Sequence, residues 1–386
     1  MSDFTAKPDS SCCTYFCTGP LVLDQFWSLG PVLDRSCVSY GLLMCRAMEN
    51  HKDMASRRTW RLEGYGVSIG PVFSVKLQMA KQIVGQEWPM RLLIAGWQGQ
   101  VARALAEAAP ACPDVAACAI GRPALDICEM KTITRALADV RPDVVINTAA
   151  YTAVDKAESQ ADEAFALNRD GARMLAQAAQ KRGAAVIHLS TDYVFDGSKA
   201  APYGEDDPPA PQTVYGRSKL EGEEMVRAAN PRHVIMRTAW VYSPVGSNFV
   251  KTMLRLAESR DRLGVVDDQC GNPTYAPHLA EAILGVARQI AGAGPDVPWG
   301  TYHAVGSGSA TWCGLAREIF RQSSARGGPG AEIDAITTAD YPTPARRPAN
   351  SRLNCDKLQQ HFGLRLPDWR DGVKDCVSRL CPTPTD

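Results

Sequence analysis

The sequence shows no excess of either charge, because 42 lysine and arginine residues balance 42 aspartate and glutamate residues. A neutral chain has no global field that would attract nucleic acid or an anionic membrane. No apolar run approaches the roughly 18 residues of a membrane span, and the N-terminus lacks the basic start, apolar stretch and cleavage site of a signal peptide. We therefore expect a cytoplasmic protein without nucleic-acid or membrane partners.

Regular cysteine spacing is also missing, although the chain holds 13 cysteines. Cys112, Cys118 and Cys128, for example, do not fall at the short paired intervals that zinc sites use. An odd number of irregularly spaced thiols is typical of a reducing compartment. The sequence therefore predicts free thiols rather than disulfides, and no metal site.

The length and composition fit a globular protein of two domains, since the 386 residues include 45% apolar and 22% charged residues. Residues 1–89 differ from the rest: they hold five of the cysteines, several prolines and glycines, and no sustained helical or strand periodicity. We interpret them as a poorly structured, irregular N-terminal extension upstream of a natural start at Met90. A genuine regulatory or localising segment is the alternative.

From Met90 onward, short apolar runs alternate with helix-like stretches. The predicted strands are Met90–Ala95, Val115–Ile120, Val144–Asn147, 185–190 and 234–238, and the predicted helices are 101–109, 132–139, 161–182, 218–229, 279–290 and 312–321. This alternation is typical of an α/β protein with a Rossmann-type, doubly wound parallel sheet. We predict a dinucleotide-binding domain over residues 90–245 and a smaller, mainly substrate-binding α/β domain over residues 246–386, where the pattern loosens.

A glycine-containing turn follows the first predicted strand and opens a helix. Its sequence over residues 96–102 is GWQGQVA, a G-x-x-G-x-x-A pattern. The glycines allow a close backbone approach to a pyrophosphate, and the helix N-terminus supplies amide donors and positive potential. An ordinary strand-to-helix turn would explain two glycines equally well. The position in front of an alternating series favours a dinucleotide site at Gly96, Gly99, Gln100 and Val101.

The end of the second predicted strand is the expected neighbour of the adenosine ribose in dinucleotide folds. It carries no acidic residue at its tip and continues into Arg122. Because an arginine suits a 2′-phosphate better than a bare ribose, we expect NADPH to be used at least as well as NADH. Asp126 is a candidate neighbour of the adenine, with a helix N-cap as the alternative.

Small residues follow the third predicted strand. Ala149 and Ala150, followed by Tyr151, would leave room for the cofactor to cross the edge of the sheet. A loop that is merely tightly packed would explain the same residues.

Two segments carry side chains suited to proton transfer. The strand end LSTDYVF contains Thr191, and the helix start YGRSK contains Tyr215 and Lys219. Positions i and i+4 share one helix face, and an ammonium beside a phenol lowers the pKa of the phenol. Tyr215 would then be a proton donor near neutral pH, while Thr191 hydrogen-bonds the same carbonyl oxygen. His188, within an apolar strand, is interpreted as a core histidine.

The chain from Met90 to near the C-terminus, about three quarters of it, resembles the dTDP-4-dehydrorhamnose reductase family of extended short-chain dehydrogenases. The matching stretches are GWQGQV, INTAAYTAVDKAE, STDYVFDG, VYGRSKLEGE, RTAWVY, NFVKTMLRLA, DQCGNPTYA and YPTPARRPANSRL. The resemblance implies reduction of the 4-keto group of dTDP-4-dehydro-6-deoxy-L-mannose to dTDP-L-rhamnose with NADPH or NADH. That product would serve surface polysaccharide biosynthesis.

The resemblance also implies residue roles. Tyr215 would donate the proton, Lys219 would pair with it and hold the nicotinamide ribose, and Thr191 would orient the substrate carbonyl. Contacts to the cofactor are expected from Gly99, Gln100, Val101, Ala149, Ala150 and Tyr151. Contacts to the nucleotide-sugar substrate are expected from Asp192, Tyr193, Trp240 and one or both of Arg346 and Arg347.

The two adjacent arginines agree with this assignment on their own chemistry. Arg346 and Arg347 lie in a proline-bounded loop and would form a local anion site, because arginine binds phosphate oxygens bidentately. A solvated loop is the alternative. Some family members resemble each other in using a glutamate of the first helix for a magnesium-linked dimer. Ala104 occupies that position here, so we expect no structural magnesium and no such dimer, and the oligomeric state stays open.

Two other functions fit parts of the pattern. One is a different sugar-nucleotide epimerase or ketoreductase of the same fold. The other is a non-catalytic regulatory subunit, since the β subunit of methionine adenosyltransferase resembles this family. The intact Thr191, Tyr215 and Lys219 argue against a non-catalytic protein.

Overall fold

Twelve strands and eleven helices follow one another in the part of the chain that the computed structural model describes, residues 89–291 and 297–382. The strands are β1 (Met90–Ala95), β2 (Val115–Ile120), β3 (Val144–Asn147), β4 (Ala185–Thr191), β5 (His233–Thr238), β6 (Val241–Tyr242), β7 (Arg262–Val266), β8 (Cys270–Gly271), β9 (Thr274–Tyr275), β10 (Gly300–His303), β11 (Ala310–Thr311) and β12 (Glu332–Ile336). The helices are α1 (Gln100–Ala108), α2 (Met130–Val140), α3 (Val154–Ala157), α4 (Ala161–Phe165), α5 (Ala172–Lys181), α6 (Val214–Ala229), α7 (Phe249–Ala257), α8 (Ala276–Ala291), α9 (Trp312–Ser324), α10 (Asp356–Phe362) and α11 (Trp369–Leu380). The predicted irregular extension lies outside the described residues, Pro89 excepted.

Six of the strands form one sheet in the order β10-β5-β4-β3-β1-β2, and all neighbouring pairs are parallel. Every residue of β3 and β5 is buried. Parallel strands with both faces covered by helices have continuous apolar runs in their sequences, and this is the pattern found here. The predicted doubly wound, Rossmann-type sheet is therefore confirmed.

The side chains of β1 alternate between two cores. Leu92 and Ile94 pack with α1 and α8 on one face of the sheet. Leu93 and Ala95 pack with α2 and α5 on the other face. Because successive strand residues point to opposite faces, a four-residue apolar run joins two helical layers to one sheet.

The sheet order fixes where a ligand can bind. β2 and β3 lie on opposite sides of β1, so the chain changes direction across the sheet at the β1–β3 boundary. In open α/β sheets such a switch point leaves a crevice outside the carboxyl ends of the strands. The turn after β1 and the loop after β3 meet there, since Thr148 Oγ1 donates to the carbonyl of Ala95 at 2.8 Å.

The second half of the described chain builds a third core around α7, α9 and α11, next to the parallel pair formed by β7 and β12. In contrast, β10 pairs with β5 in the main sheet, and α8 packs on that sheet. Residues beyond 246 thus contribute to both layers. The domain boundary at residue 245 stays a prediction.

The predicted helical stretch over residues 161–182 is confirmed for residues 161–181, but it is not α-helical throughout. A π-helical turn, Ala166–Gly171, separates α4 from α5. Its Asn168 side chain accepts from the Tyr151 amide at 2.8 Å and donates to the Tyr151 carbonyl at 3.1 Å. A Cβ on Gly171 would lie 2.9 Å from the Ile127 side chain, so the turn packs closely against the preceding loop. Such turns are frequent near functional sites.

No described helix is long and apolar enough to cross a membrane. Within the same residues, the eight cysteines form no disulfide. That part of the chain also holds no group of three or more histidine, cysteine, aspartate or glutamate side chains arranged to bind a metal ion.

Candidate active site

The turn between β1 and α1 has the backbone geometry of a phosphate cradle. Gly96 has a φ of +109°, and a Cβ there would lie 2.6 Å from Thr148 Oγ1. A Cβ on Gly99 would meet nothing within 4 Å, so open space lies beside the N-terminus of α1. No described side chain caps that N-terminus. Its amides, which include those of Gln100 and Val101, and its positive potential suit a pyrophosphate.

The Gln100 side chain is engaged within the protein. Its Nε2 donates to the carbonyl of Val241 at 3.3 Å, and its Oε1 accepts from Ser243 Oγ at 3.0 Å and from Asn248 Nδ2 at 2.9 Å. These bonds join the start of α1 to the segment between β6 and α7. The backbone amide is therefore the part of Gln100 that remains for a ligand.

An indole and an arginine lie at the tip of β2. The Trp97 side chain is 51% exposed, and a Cβ on Gly121 would come within 2.2 Å of its ring. Arg122 is exposed beside it, with no hydrogen bond or ion pair to any described residue. Asp126 accepts from the amide of Cys128 at 2.9 Å. The N-cap residue of α2 is Glu129, so the helix N-cap alternative for Asp126 is wrong.

Ala149, Ala150 and Tyr151 are half-buried in the loop after β3. The Tyr151 phenol hydrogen-bonds the Gln160 side chain. Asn168, which holds the Tyr151 backbone, also donates to Ser218 Oγ at 2.9 Å. It therefore connects this loop to α6, next to Lys219. Asn168 gave no signal in the sequence, because its partners are 17 and 50 residues away along the chain.

Thr191 and Tyr215 meet at the carboxyl end of β4. The Thr213 side chain caps α6 by accepting from the amide of Gly216 at 3.0 Å, which sets Tyr215 in the first turn. The Thr191 hydroxyl lies close enough to the Tyr215 phenol to lower the pKa of the phenol. Thr191 Oγ1 in turn donates to Asp192 Oδ1 at 2.9 Å. Two hydroxyls thus converge at the sheet edge where ligands bind in this fold.

The predicted lowering of the Tyr215 pKa is wrong for this state of the protein. Burial raises the pKa of Tyr215 above its usual value, the Thr191 hydroxyl partly offsets this, and the charge of Asp192 adds to it. Lys219 is not among the groups that shift the pKa of Tyr215, because its Nζ bonds the Leu189 carbonyl instead. The phenol is therefore protonated throughout the physiological range.

Lys219 is buried and faces β4. Its Nζ donates to the carbonyl of Leu189 at 2.6 Å and lies 3.4 Å from His188 Nε2. Burial lowers the pKa of Lys219 to about 8, and the charge of Glu223 partly opposes this shift. His188 is buried, as predicted, but it also contacts a site residue, which the apolar sequence around it did not indicate.

Asp192 is a buried carboxyl group in the site. Burial raises its pKa to about 6, while the bond from Thr191 lowers it. Its Oδ2 has no hydrogen-bond partner among the described residues. A buried acceptor without a partner suits a hydroxyl of a bound sugar.

The two adjacent arginines have different surroundings. Arg347 donates from Nη1 to the Tyr193 hydroxyl at 3.0 Å and from Nη2 to Asp155 Oδ2 at 2.7 Å. Burial raises the pKa of Tyr193 to about 12, and its ring packs edge-on against Tyr215 with centroids 5.5 Å apart. Arg346 is exposed and makes no hydrogen bond or ion pair with the described residues. Of the pair, Arg346 has the guanidinium that a ligand could use.

Trp240 is held by aromatic packing. It stacks face to face on Trp312, with centroids 3.5 Å apart and an interplanar angle of 6°. Its φ of +47° is rare for a side chain of this size. A Cβ on Gly271 would lie 2.5 Å from the indole, so glycine leaves the space that the ring occupies. Trp312 was not predicted as a site residue, because only the tertiary fold brings α9 to Trp240.

An open cleft of about 870 Å³ adjoins Arg346 and Arg347. Its wall combines the arginine loop with polar residues from four other segments. The lining residues are Asp196, Gly197, Ser198, Gln212, Asp268, Thr338, Pro342, Thr343, Pro344, Ala345, Arg346, Arg347 and Ala349. The cleft is large enough for a nucleotide and has a cation at its edge.

A family model described as "RmlD substrate binding domain" matches residues 90–381. The chain is similar to a dTDP-4-dehydrorhamnose reductase of Sinorhizobium fredii, with 50% identity over 291 residues that cover 75% of this chain and 98% of that protein. It is also similar to one of Escherichia coli strain K12, with 46% identity over 260 residues that cover 67% and 86% of the two chains.

Solved structures of similar proteins agree with this family match. A Bacillus anthracis dTDP-4-dehydrorhamnose reductase in complex with NADP superimposes with a TM-score of 0.69 and 34% identity, and covers 75% of this chain and 98% of its own. A Thermus thermophilus UDP-glucose 4-epimerase in complex with NAD has a TM-score of 0.63 and 19% identity, over 75% and 98% of the two chains. At that identity the epimerase shares the fold alone.

Proposed function

The chain belongs to the dTDP-4-dehydrorhamnose reductase family, and we infer from this that it reduces the 4-keto group of dTDP-4-dehydro-6-deoxy-L-mannose to dTDP-L-rhamnose with NADPH or NADH. The observation that carries the reaction is the proximity of the Thr191 hydroxyl to the Tyr215 phenol at the carboxyl end of β4. Lys219 lies one helical turn further along α6. The product would serve dTDP-rhamnose and surface polysaccharide biosynthesis.

The residues at the β1–β3 crevice fit a dinucleotide. The open face of Gly99 and the uncapped amides of α1 would hold the pyrophosphate. Ala149, Ala150 and Tyr151 would flank the cofactor where it crosses the sheet edge, and Lys219 would hold the nicotinamide ribose. When bound, the cofactor supplies the hydride.

Tyr215 would donate the proton to the oxygen at C4 of the hexose. A raised pKa suits this direction of reaction, because an acid must carry its proton when the keto substrate arrives. Thr191 would hydrogen-bond the same oxygen and stabilise the charge that develops on it. The protein's contribution is then mainly positioning and a buried pair of hydroxyl donors.

The nucleotide half of the substrate would occupy the cleft beside the arginine loop. Arg346 would bind the diphosphate, since its guanidinium has no described partner, whereas Arg347 would hold Tyr193 in place. The free oxygen of Asp192 would accept from a sugar hydroxyl, and Trp240 would cover the sugar ring.

The residues at the tip of β2 favour NADPH over NADH. Gly121 carries no acid that would repel a phosphate, and the Trp97 ring covers its backbone. Arg122 is an exposed guanidinium without a described partner, so it can meet a 2′-phosphate. We therefore expect kcat/KM with NADPH to equal or exceed that with NADH.

The proposal also includes the expectations for location, partners and oligomeric state. A cytoplasmic location and the absence of nucleic-acid partners stay predictions. Ala104 is buried in the core between α1 and α8, and a magnesium-linked dimer through this helix is not expected. The oligomeric state stays open.

A coupled assay tests the function directly. The purified protein receives dTDP-4-dehydro-6-deoxy-L-mannose with NADPH or NADH, cofactor oxidation is followed, and the sugar product is identified. Stoichiometric formation of dTDP-L-rhamnose is the expected result. Formation of a different epimer would favour another sugar-nucleotide enzyme of this fold. Cofactor binding without turnover of any 4-keto sugar would favour the non-catalytic alternative.

A further inference from the structure

A buried chain of polar side chains connects the end of β3 to Lys219. Asn147, His188 and Lys219 are 2%, 1% and 2% exposed. Asn147 and His188 are also partners in the register between β3 and β4. Neither Asn147 nor His188 has a role in the reaction proposed above.

A hydrogen bond from the backbone fixes the orientation of the Asn147 side-chain amide. Its Oδ1 accepts from the backbone amide of Ala149 at 3.2 Å. Its Nδ2 therefore points to His188 Nδ1, 3.0 Å away. Because an amide nitrogen can only donate, Nδ1 of the ring must accept. A neutral imidazole that accepts at Nδ1 carries its proton on Nε2.

The protonated nitrogen faces the lysine. His188 Nε2 lies 3.4 Å from Lys219 Nζ, which also donates to the Leu189 carbonyl at 2.6 Å. An ammonium opposite an N–H places two donors against each other. A neutral amine instead offers its lone pair to the N–H and keeps a hydrogen for the carbonyl.

We propose that His188 is a positioning residue for Lys219: Asn147 fixes the ring with its proton on Nε2, and that N–H faces Nζ and favours the neutral amine. The inference rests on the proposed role of Lys219 at the nicotinamide ribose. What is added to that role is a pair of hydrogen-bonded side chains, Asn147 and His188, that influences the charge of Lys219 from β3 and β4.

The surrounding charges agree with the proposal. Burial and the nearby Lys219 lower the pKa of His188 well below its usual value, so the ring is neutral. The carboxylate that acts on Lys219 is Glu223, one turn further along α6. Glu223 is held by Arg237 of β5 through two bonds of 2.9 and 2.7 Å, which leaves less of its field for the lysine. Asp192 acts on Tyr215 rather than on Lys219.

The tautomer can be measured in the unaltered protein. Nitrogen NMR of the full chain with ¹⁵N-labelled histidine distinguishes protonated from unprotonated ring nitrogens, and the His188 signals are those lost in His188→Phe or, if that variant does not fold, in His188→Gln. We expect a neutral ring with the proton on Nε2. A proton on Nδ1, or an imidazolium at pH 7, would overturn the proposal. This result does not depend on enzymatic activity, so it stands apart from the proposed function.

A second experiment reverses the tautomer. In Asn147→Asp a carboxylate faces Nδ1, which must then donate, so Nε2 becomes an acceptor for the Lys219 ammonium. The probe is the Kd of NADH against pH, because NADH lacks the 2′-phosphate that would itself titrate. Wild-type affinity should fall by up to about tenfold per pH unit once Lys219 loses its proton. In Asn147→Asp this fall should begin about one pH unit higher.

The added charge of the aspartate needs its own control. We therefore compare His188→Phe with the double variant Asn147→Asp/His188→Phe, in which the same carboxylate is present but no ring transmits it. The two curves should begin to fall at the same pH. An equal upward shift with and without His188 would show that simple Coulomb attraction acts on Lys219, and the positioning role would be wrong.

Discussion

At the scale of single residues, the site depends on burial. Tyr215, Lys219 and Asp192 are polar groups that the fold has removed from water, and burial is the largest cause of each pKa shift. The sequence showed which residue types were present at which spacing. It could not show that Lys219 turns towards β4 instead of the phenol.

The phenol of Tyr215 is expected to be indispensable for turnover. Tyr215→Phe removes the proton donor but keeps the ring, so kcat should fall by about 10²- to 10⁴-fold, while the Kd for NADPH stays unchanged. Tyr341→Phe is the matched control, because it removes the phenol of an exposed tyrosine that has no place in the proposed site. Single-turnover rates and cofactor titration measure both effects. Wild-type turnover in Tyr215→Phe would remove the tyrosine from the mechanism.

Asp192 should make stability depend on pH. Its folded-state pKa of about 6 lies above the ordinary value of 3.8, so between these values the folded protein binds more protons than the unfolded chain. Stability therefore falls as pH rises from about 4 to about 6, by roughly 3 kcal/mol in all. Asp192→Asn should lack this fall. Urea unfolding at pH 4 and pH 7 measures it, and identical pH dependence in both proteins would contradict the assignment.

Substitutions of Arg346 and Arg347 should affect different kinetic constants. Arg346→Ala removes a guanidinium without a described partner, so KM for the nucleotide sugar should rise by roughly tenfold or more with little change in stability. Arg347→Ala breaks the ion pair with Asp155 and the bond to Tyr193, so it should lower kcat. Steady-state kinetics of both variants decide this. A larger KM effect from Arg347 would reverse the assignment.

At the scale of elements, the reliable signals are the periodic ones. The strands β1, β2 and β3 have the predicted bounds, because each is a short apolar run. This holds for the fully buried β3 and also for β2, which lies at the edge of the sheet and has no buried residue. The π-helical turn between α4 and α5 gave no such signal. It depends on Asn168 and Gly171, whose contacts to Tyr151 and Ile127 exist only in the folded chain.

The start of α1 should depend on the Gln100 side chain for its attachment. Gln100→Ala removes three hydrogen bonds to the segment between β6 and α7 and should lower the free energy of unfolding by about 1–3 kcal/mol. NADPH should still bind, because backbone amides hold the pyrophosphate. Arg103→Ala, an exposed position on the same helix, should have no effect. Chemical denaturation and cofactor titration provide the comparison, and loss of NADPH binding would assign the side chain a direct contact.

At the scale of the whole molecule, the family match begins at Met90. The relative from Sinorhizobium fredii is covered over 98% of its length by 291 residues. The reductase fold and every proposed site residue therefore lie beyond residue 89.

A chain that starts at Met90 should keep the activity of the full chain. The residues of the proposed site all lie beyond Met90, within the part of the chain that the family model matches, so the truncated protein should show the same kcat and KM within error. The two proteins are compared in the same coupled assay. A clear loss of activity or of cofactor affinity in the shorter chain would assign residues 1–89 a role in the enzyme.

By itself, the sequence determined the alternating sheet, the glycine turn and the identity of Thr191, Tyr215 and Lys219, because periodicity and i, i+4 spacing are local properties. Only the tertiary structure decided how these groups are charged and held. The direction of Lys219, the separate surroundings of Arg346 and Arg347, and the stacking of Trp240 on Trp312 come from segments far apart in the chain. Burial and hydrogen bonding are properties of the packed molecule, so no pattern along the chain could contain them.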